Sequence, residues 1–457
     1  MSNPLEPLIH HVTDTSYGDL PADAIRAAKI FILDTFSCGL AGSGEPSADA
    51  TLAAAHMWGT GSQSRVWGRS DTLPPPSAAA VNAYQIHCLE YDCVHEGGVL
   101  HPMSSLMAAL MAEVDRQHSL GIPISGQELI AAVAMGIDVS CSIALASTGP
   151  MRFFRPASVG GFGATAACAK LRNFGFEETL NAVGLQYGQT SGNMQAHVEG
   201  TKLLGLQVGF AARGGITSCD LAEKGIEGPK DVLTGMYGYL VLCEREYNIE
   251  PVWAEIGKVY RLTQVGHKPF PAGRLTHYVI DAIQILKDEH GFTENDVEKV
   301  TAWIPPLAYR LVGRPDIPTP SPSYARLCLP FVAAITICNG TVVPQDFEED
   351  ALIRKETHSI AAKIQVIEDN NRDPNAFGPQ TVELCLKDGT LFKIKIEKAI
   401  GDPDKPLSRD RQIEKFWRCW DASANKMPSK NGEALVKIID ELEDVFDTAE
   451  LTQLMSP

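Results

Sequence analysis

The pattern of apolar and polar positions divides the chain into three stretches. Over residues 1–262 apolar residues recur at helical spacing. "LPADAIRAAKIFILDTFSCGLAG" opens on Pro21 and closes on Gly39 and Gly42, which predicts a helix between them. "PPPSAAAVNAYQIHCLEYD" sets three prolines ahead of a small-residue helix, and "SSLMAALMAEVDRQHSLG" and "SGQELIAAVAMGIDVSCSIALAS" continue the theme. In the last of these, Ser125 with Glu128 three residues on forms a capping-box pattern. "SVGGFGATAACAKLRNFG" is built from Gly and Ala, the composition of a helix packed closely at the centre of a bundle.

Near residue 263 the pattern changes to β-branched alternation, as in "KVTAWIPPLA" and "AAKIQVIED". "TVELCLKDGTLFKIKIE" is the clearest hairpin, with Asp388-Gly389 as its turn. A Pro-rich linker, "GDPDKPLS", then leads into further helices. The expected fold is α+β: a large all-helical domain over 1–262 and a smaller α/β domain over 263–405. The C-terminal helices over 406–457 are expected to return to the first domain. A chain of 457 residues is too long for one typical core, which agrees with this division.

Composition narrows the function classes. The net charge of −17, with no Lys/Arg-rich run, disfavours nucleic acid and anionic membrane surfaces and favours a small-molecule ligand. Eleven cysteines form no CxxC pair and sit mostly in apolar company, as reduced thiols of a cytoplasmic protein do. The N-terminus lacks the basic region and apolar core of a signal peptide. Apolar stretches such as "LIAAVAMGIDV" are too short or too interrupted to span a bilayer, so a cytoplasmic location is expected.

Four segments could carry chemistry. "LEYDCVHEGGVLHPMSS" crowds Asp92, His95, Glu96 and His101 together. Their spacings of three, one and five match neither HExxH nor a zinc-finger pattern, so no metal is expected. An acid–base wall needs only one or two of these groups, and a plain polar loop between helices is the competing account. In "HKPFPAGRLTHYVIDA", Lys268 precedes Pro269 and is held extended, able to meet a carboxylate or, if desolvated, to act as a base. His277 in the same segment reads as a structural histidine. "EGTKLLGLQVGFAARGG" offers Lys202 and Arg213 to an anion near a glycine-rich helix, with close helix packing as the alternative. "MRFFRPASVGGFG" places Arg155-Pro156 before a helix start, a natural carboxylate clamp or a surface arginine covering aromatic rings. GxGxxG, GxxxxGK[ST] and GxSxG are all absent, which removes most support for nucleotide binding and serine hydrolysis.

Taken in order, "AKIFILDTFSCGLAG", "AYQIHCLEYDCVH…HP", "SVGGFGATAACAKL", "GFAARGG", "HKPFPAGRLTHYVIDA" and "VELCLKDGTLFKIKIEKAIGDPDKPLS" resemble the MmgE/PrpD family nearly end to end. That family contains 2-methylcitrate dehydratases, cis-aconitate decarboxylases and iminodisuccinate epimerase. The resemblance implies a helical domain and a smaller α/β domain with the site between them. It also implies a homodimer, no required cofactor and a small polycarboxylate substrate. It makes Asp92, His101, Lys268 and His95 the expected catalytic set, with Arg155, Lys202 and Arg326 binding substrate.

The departures from the family pattern bear on the reaction. Cys93 stands where a second acid is usual, and Arg155 where a histidine often precedes proline. Leu204 holds the place of the usual lysine, with Lys202 two residues away. Gly273 replaces a histidine of the decarboxylase branch, and Phe331 a tyrosine. All three family reactions pass through a carbanion beside a carboxylate, which cations stabilise. A thinner acid–base set with more arginine favours epimerisation of an iminodisuccinate-like dicarboxylate. The alternatives are a hydro-lyase of the 2-methylcitrate dehydratase type, a cis-aconitate-decarboxylase-like lyase, and more remotely a non-catalytic binding protein.

Overall fold

The structure is a computed structural model and describes residues 3–457. Its first part is a helical bundle whose main members are α1 (Ala22–Ser43), α2 (Pro75–His87), α3 (Pro102–Ser119), α4 (Gly126–Leu145), α5 (Gly160–Leu171) and α6 (Leu203–Glu223). The small-residue helices sit at the centre: α6 packs on α2 and α5, and α5 also packs on α3 and α4. Two glycines show why. A Cβ on Gly42 of α1 would lie 1.8 Å from the Gln85 carbonyl oxygen, and one on Gly209 of α6 would lie 2.6 Å from that of Ala80. The Gly/Ala content of "GFAARGG" therefore serves helix contact rather than an anion site. Arg213 in that segment lies over the rings of Trp58 and Phe210.

The apolar helix α4 is long enough to cross a membrane by composition, but 89% of its apolar window is buried in the fold. The Ser125 hydroxyl accepts from Glu128 N and the Glu128 carboxylate accepts from Ser125 N, which closes the capping box at its start. One correction applies to the all-helical expectation. Ser64–Arg65 and Thr72–Leu73 form a two-residue antiparallel pair inside this part. So short a pairing leaves no alternating run to read in the sequence.

The smaller part holds a four-stranded sheet. β1 (Val297–Ile304) is central, β2 (Ile364–Glu368) pairs parallel to it, and β3 (Gln380–Leu386) pairs antiparallel on its other edge. β4 (Leu391–Ile396) completes the hairpin with β3. Its turn holds Gly389 at φ +89°, a conformation that favours glycine. Helix α7 (His277–His290) packs on β3 and β4, and α8 (Leu329–Asn339) packs on α7.

The tail then returns to the bundle: α9 (Arg409–Asp421) packs on α1. Its buried Lys415 pairs with Asp34 at 2.7 Å and donates to the carbonyls of Tyr91 and Lys268 at 2.8 and 3.0 Å. One tail residue thereby pins two segments that come from different domains.

Candidate active site

The segment "LEYDCVHEGGVLHPMSS" is the connection between α2 and α3. It leaves α2 at His87, turns through Glu90 at φ +51°, and folds back through isolated bridges, Val94 to Gly266 and His95 to Leu100. His101 then caps α3, with Pro102 as the first helical residue. It is a loop between helices, and it is also where buried titratable groups meet.

Five of those groups form a continuous chain. Lys268 Nζ lies 2.8 Å from Glu90 Oε2. Glu90 Oε1 lies 3.5 Å from His87 Nε2, and His87 Nδ1 lies 3.0 Å from Asp92 Oδ2. Asp92 Oδ2 is 3.3 Å from His101 Nδ1, close enough for charge attraction though outside hydrogen-bond geometry. Ser104 adds a hydroxyl hydrogen bond to the same oxygen. The two histidine rings meet edge to face at 4.9 Å.

Electrostatics set the protonation along this chain. Burial opposes the charge on Asp92, but His87 and His101 outweigh it and hold the carboxyl well below its usual range. Burial likewise opposes the Glu90 carboxylate, and Lys268 with His87 brings it down to about 2. For His87, burial is outweighed by Asp92 and Glu90, so its pKa is raised. For His101, burial and Lys268 together overcome Asp92, so its pKa is lowered. The field along the chain thus favours the charged form of His87, between two carboxylates, and the neutral form of His101 at the end. Asp92 beside Nδ1 favours the tautomer with its proton there, leaving Nε2 as the free nitrogen.

His101 is the partly exposed end of the chain and lines a cavity between the two domains. The helical domain also contributes Glu90, His197, Met151 and Phe154. The smaller domain contributes Gly273, Arg274, Leu275, Leu311, Val312, Leu327 and Phe377. Of these, only Arg274 has an ionisable side chain, and it is tied at 2.6 Å to Glu96, which also accepts from Tyr278.

The predicted residues therefore separate. Asp92, His101 and Lys268 belong to one network, with Lys268 fully buried behind Glu90. His95 does not reach the cavity: its Nδ1 accepts from Gly98 N at 3.0 Å and its Nε2 lies 3.3 Å from Gln264 Oε1. Burial depresses it to about 4, so it is a neutral structural histidine. Arg155 is likewise not free to bind a substrate. Its Nε and Nη2 hold both oxygens of Glu244 at 3.0 and 2.9 Å, and it also donates to Ser147 and Gly98.

Arg326 pairs with Glu45 at 2.8 Å and stacks over Phe347, away from the cavity. Lys202 is exposed and borders a smaller depression that reaches the other side of His87 and Glu90. Cys93 is buried with its thiol pushed up and protonated, so it does not replace an acid. His277 is buried with Nε2 3.1 Å from the Ala272 carbonyl, a structural role.

Glu90, His87 and His197 are the groups that sequence reasoning passed over. His87 falls on the last turn of an apolar helix, and Glu90 lies one strained turn before Asp92. Only "HxxExD" spacing would have flagged them, and that spacing has no mechanism of its own until the chain turns at Glu90.

Ligand atoms of His87, Asp92 and His101 lie within 4.8 Å of one another, which a divalent cation could span. Their charge state fits a proton better. Asp92 and Glu90 favour the charged form of His87, and Asp92 already accepts from His87 and Ser104.

A helical domain and a smaller mixed domain meet at a cavity that a buried network of titratable side chains reaches. Residues 6–251 match the MmgE/PrpD N-terminal domain and residues 270–441 the MmgE/PrpD C-terminal domain. The chain belongs to the MmgE/PrpD family. It is 27% identical to the cis-aconitate decarboxylase of Mus musculus, covering 98% of this chain and 90% of that one. It is 28% identical to the Homo sapiens cis-aconitate decarboxylase, covering 96% and 91%. The Aspergillus terreus cis-aconitate decarboxylase is 25% identical, covering 97% and 94%.

Proposed function

We propose that this chain is a lyase of a small di- or tricarboxylate in which His101 moves the proton. The observation that carries this reading is the one-sided supply of acid–base groups. Glu90, His101 and His197 all come from the helical domain, and the smaller domain offers the cavity only apolar side chains, a glycine and the paired Arg274. An epimerase removes a proton on one face of a carbon and returns one on the other, so it needs a donor on each side. A lyase needs one well-placed group. The decarboxylase names of the relatives support the same choice.

Two lyase reactions suit His101. In decarboxylation the C–C electron pair passes to the α-carbon, carbon dioxide leaves, and a His101 charged by the bound carboxylates returns a proton to that carbon. In elimination the neutral Nε2 takes the α-proton, the electrons form the double bond, and the imidazolium protonates the departing hydroxyl as water. The lowered pKa of the unliganded His101 suits the second. Lys268 is a positioning residue in this scheme, since its ammonium acts through Glu90.

The test is proton NMR in heavy water with cis-aconitate, 2-methylcitrate, citrate and iminodisuccinate. A decarboxylated alkene, or an alkene from a hydroxy acid, supports the lyase. Deuteration of iminodisuccinate with stereoisomer exchange and no alkene restores the epimerase and overturns it.

A further inference from the structure

His197 lines the same cavity as His101 but stands outside the chain of contacts that runs from Lys268 to His101. Its ring is fixed from behind, on the side away from the cavity. Arg314 Nη2 lies 3.1 Å from His197 Nδ1 and donates to the carbonyls of His197 and Leu311 at 2.9 and 3.1 Å. The guanidinium also lies 4.9 Å from the centre of the Tyr324 ring, which helps to hold it there. A guanidinium has only N–H groups to offer. The nitrogen that faces it must present a lone pair, so the neutral His197 ring carries its proton on Nε2.

The charges around the ring agree with this. Burial and Arg314 push His197 down to about 3, Arg310 and His87 add to the shift, and Glu90 opposes it. Among the described residues no acceptor meets Nε2, and this nitrogen keeps accessible surface. The cations near the cavity are already engaged. Arg274 pairs with Glu96 and donates to the carbonyls of His267, Ile400 and Ala399, and Lys268 lies behind Glu90. The cavity is thus left with two imidazole nitrogens of opposite kind: the lone pair of His101 Nε2 and the N–H of His197 Nε2.

We propose that His197 is a second catalytic residue, whose Nε2–H donates to the substrate carboxylate oxygen that gains charge as the carbanion forms, and that Arg314 is the positioning residue that fixes its tautomer. The electron pair freed at the α-carbon, by loss of a proton or of carbon dioxide, spreads into the adjoining carboxylate. A donor already aimed at that oxygen strengthens as the charge grows, and so lowers the barrier more than it tightens ground-state binding. Arg314 does not need to reach the ligand, because it acts through the ring. This deepens the lyase reading and rests on it for the carbanion alone.

The experiment is calorimetric titration of the full chain with succinate and with the nitronate of 3-nitropropionate, whose charged oxygens copy those of the carbanion. The nitronate is expected to bind at least about a hundredfold more tightly than succinate, as an analogue of the reacting state does. His197→Phe should weaken the nitronate at least about tenfold and leave succinate nearly unchanged, and His197→Gln, which keeps an N–H, should restore most of the loss. Nitrogen-15 NMR of the histidine-labelled parent chain should show His197 as a neutral ring with its proton on Nε2 over about pH 5–8. In Arg314→Leu the ring should begin to titrate in that range.

A nitronate that binds no tighter than succinate, equal losses for both ligands in His197→Phe, or a parent His197 that is charged or carries its proton on Nδ1 overturns the proposal. The first and last of these are read on the parent chain, whether or not the variants fold. The lyase reading fails separately, on the products of the heavy-water panel. An epimerase could still hold the nitronate through His197, and a proven lyase could still bind it no better than succinate.

Discussion

His87 Nδ1 lies 3.0 Å from Asp92 Oδ2, joining the last turn of one helix to the loop that leads into the next. The pair is buried, and its other contacts reach Glu90 on one side and His101 on the other. Through it the charge state of His101 depends on Asp92, His87 and Lys268, none of which lines the cavity.

Replacing His101 by glutamine should lower turnover by about two to four orders of magnitude, the usual worth of a positioned acid–base group. Asp92→Asn should lower it as well, with a change in pH profile, because it releases the tautomer of His101. Steady-state kinetics with an unchanged thermal midpoint checks both. Full activity in His101→Gln would remove this residue from the mechanism.

The pH dependence follows from the lowered pKa of His101. If the unliganded imidazole works as a base, the acid limb of kcat/KM should fall below the ordinary histidine range. A Ser104→Ala variant loses a hydrogen bond to Asp92 and should move that limb. An acid limb at or above 6.5, the ordinary histidine value, would mean that another group carries the proton.

Glu90 predicts how stability responds to acid. Its carboxyl is held at about 2 against an ordinary 4.5, so its contribution is fully present above 4.5 and is lost as pH falls toward 2. Glu90→Gln strands the buried Lys268 ammonium and should lower the thermal midpoint clearly at pH 7. The gap to the parent should then close as pH falls through that window. A gap that stays constant with pH would show that the pair contributes nothing electrostatic.

Glu244 tests the reassignment of Arg155. Its Oε1 and Oε2 accept from Arg155, Ser147 and Tyr239, all of them buried. Glu244→Ala should cost about 3–5 kcal/mol of stability, since it leaves a buried guanidinium unpaired. Chemical denaturation measures this. A loss of activity with stability unchanged would return Arg155 to substrate binding.

The charge state of the His87–Asp92–His101 cluster predicts its response to chelation. Dialysis against a strong chelator should leave turnover and thermal midpoint unchanged. Loss of activity restored by one divalent cation would convert the relay into a metal site.

Most of the fold was legible along the chain because its signals are local. Helical spacing marked α1 to α6, Ser125 with Glu128 marked a helix start, and Asp388-Gly389 marked the hairpin turn. The family order of motifs was legible for the same reason. Asp92, His101 and Lys268 could be named from those motifs, and His101 and Lys268 each precede a proline that restricts the backbone.

The partners could not be read in this way. Whether an arginine binds substrate or structure depends on which carboxylate reaches it, and those carboxylates lie far away in sequence: Glu244 for Arg155, Glu45 for Arg326, Glu96 for Arg274. His95 fits a ligand or base by type, yet folding places Gln264 and Gly98 N on its two nitrogens. The residue types and helical periods are properties of the sequence itself, set by steric and hydrophobic rules acting over a few residues. Which charges are cancelled was settled only when distant segments packed, because Coulomb and desolvation energies depend on distance in space.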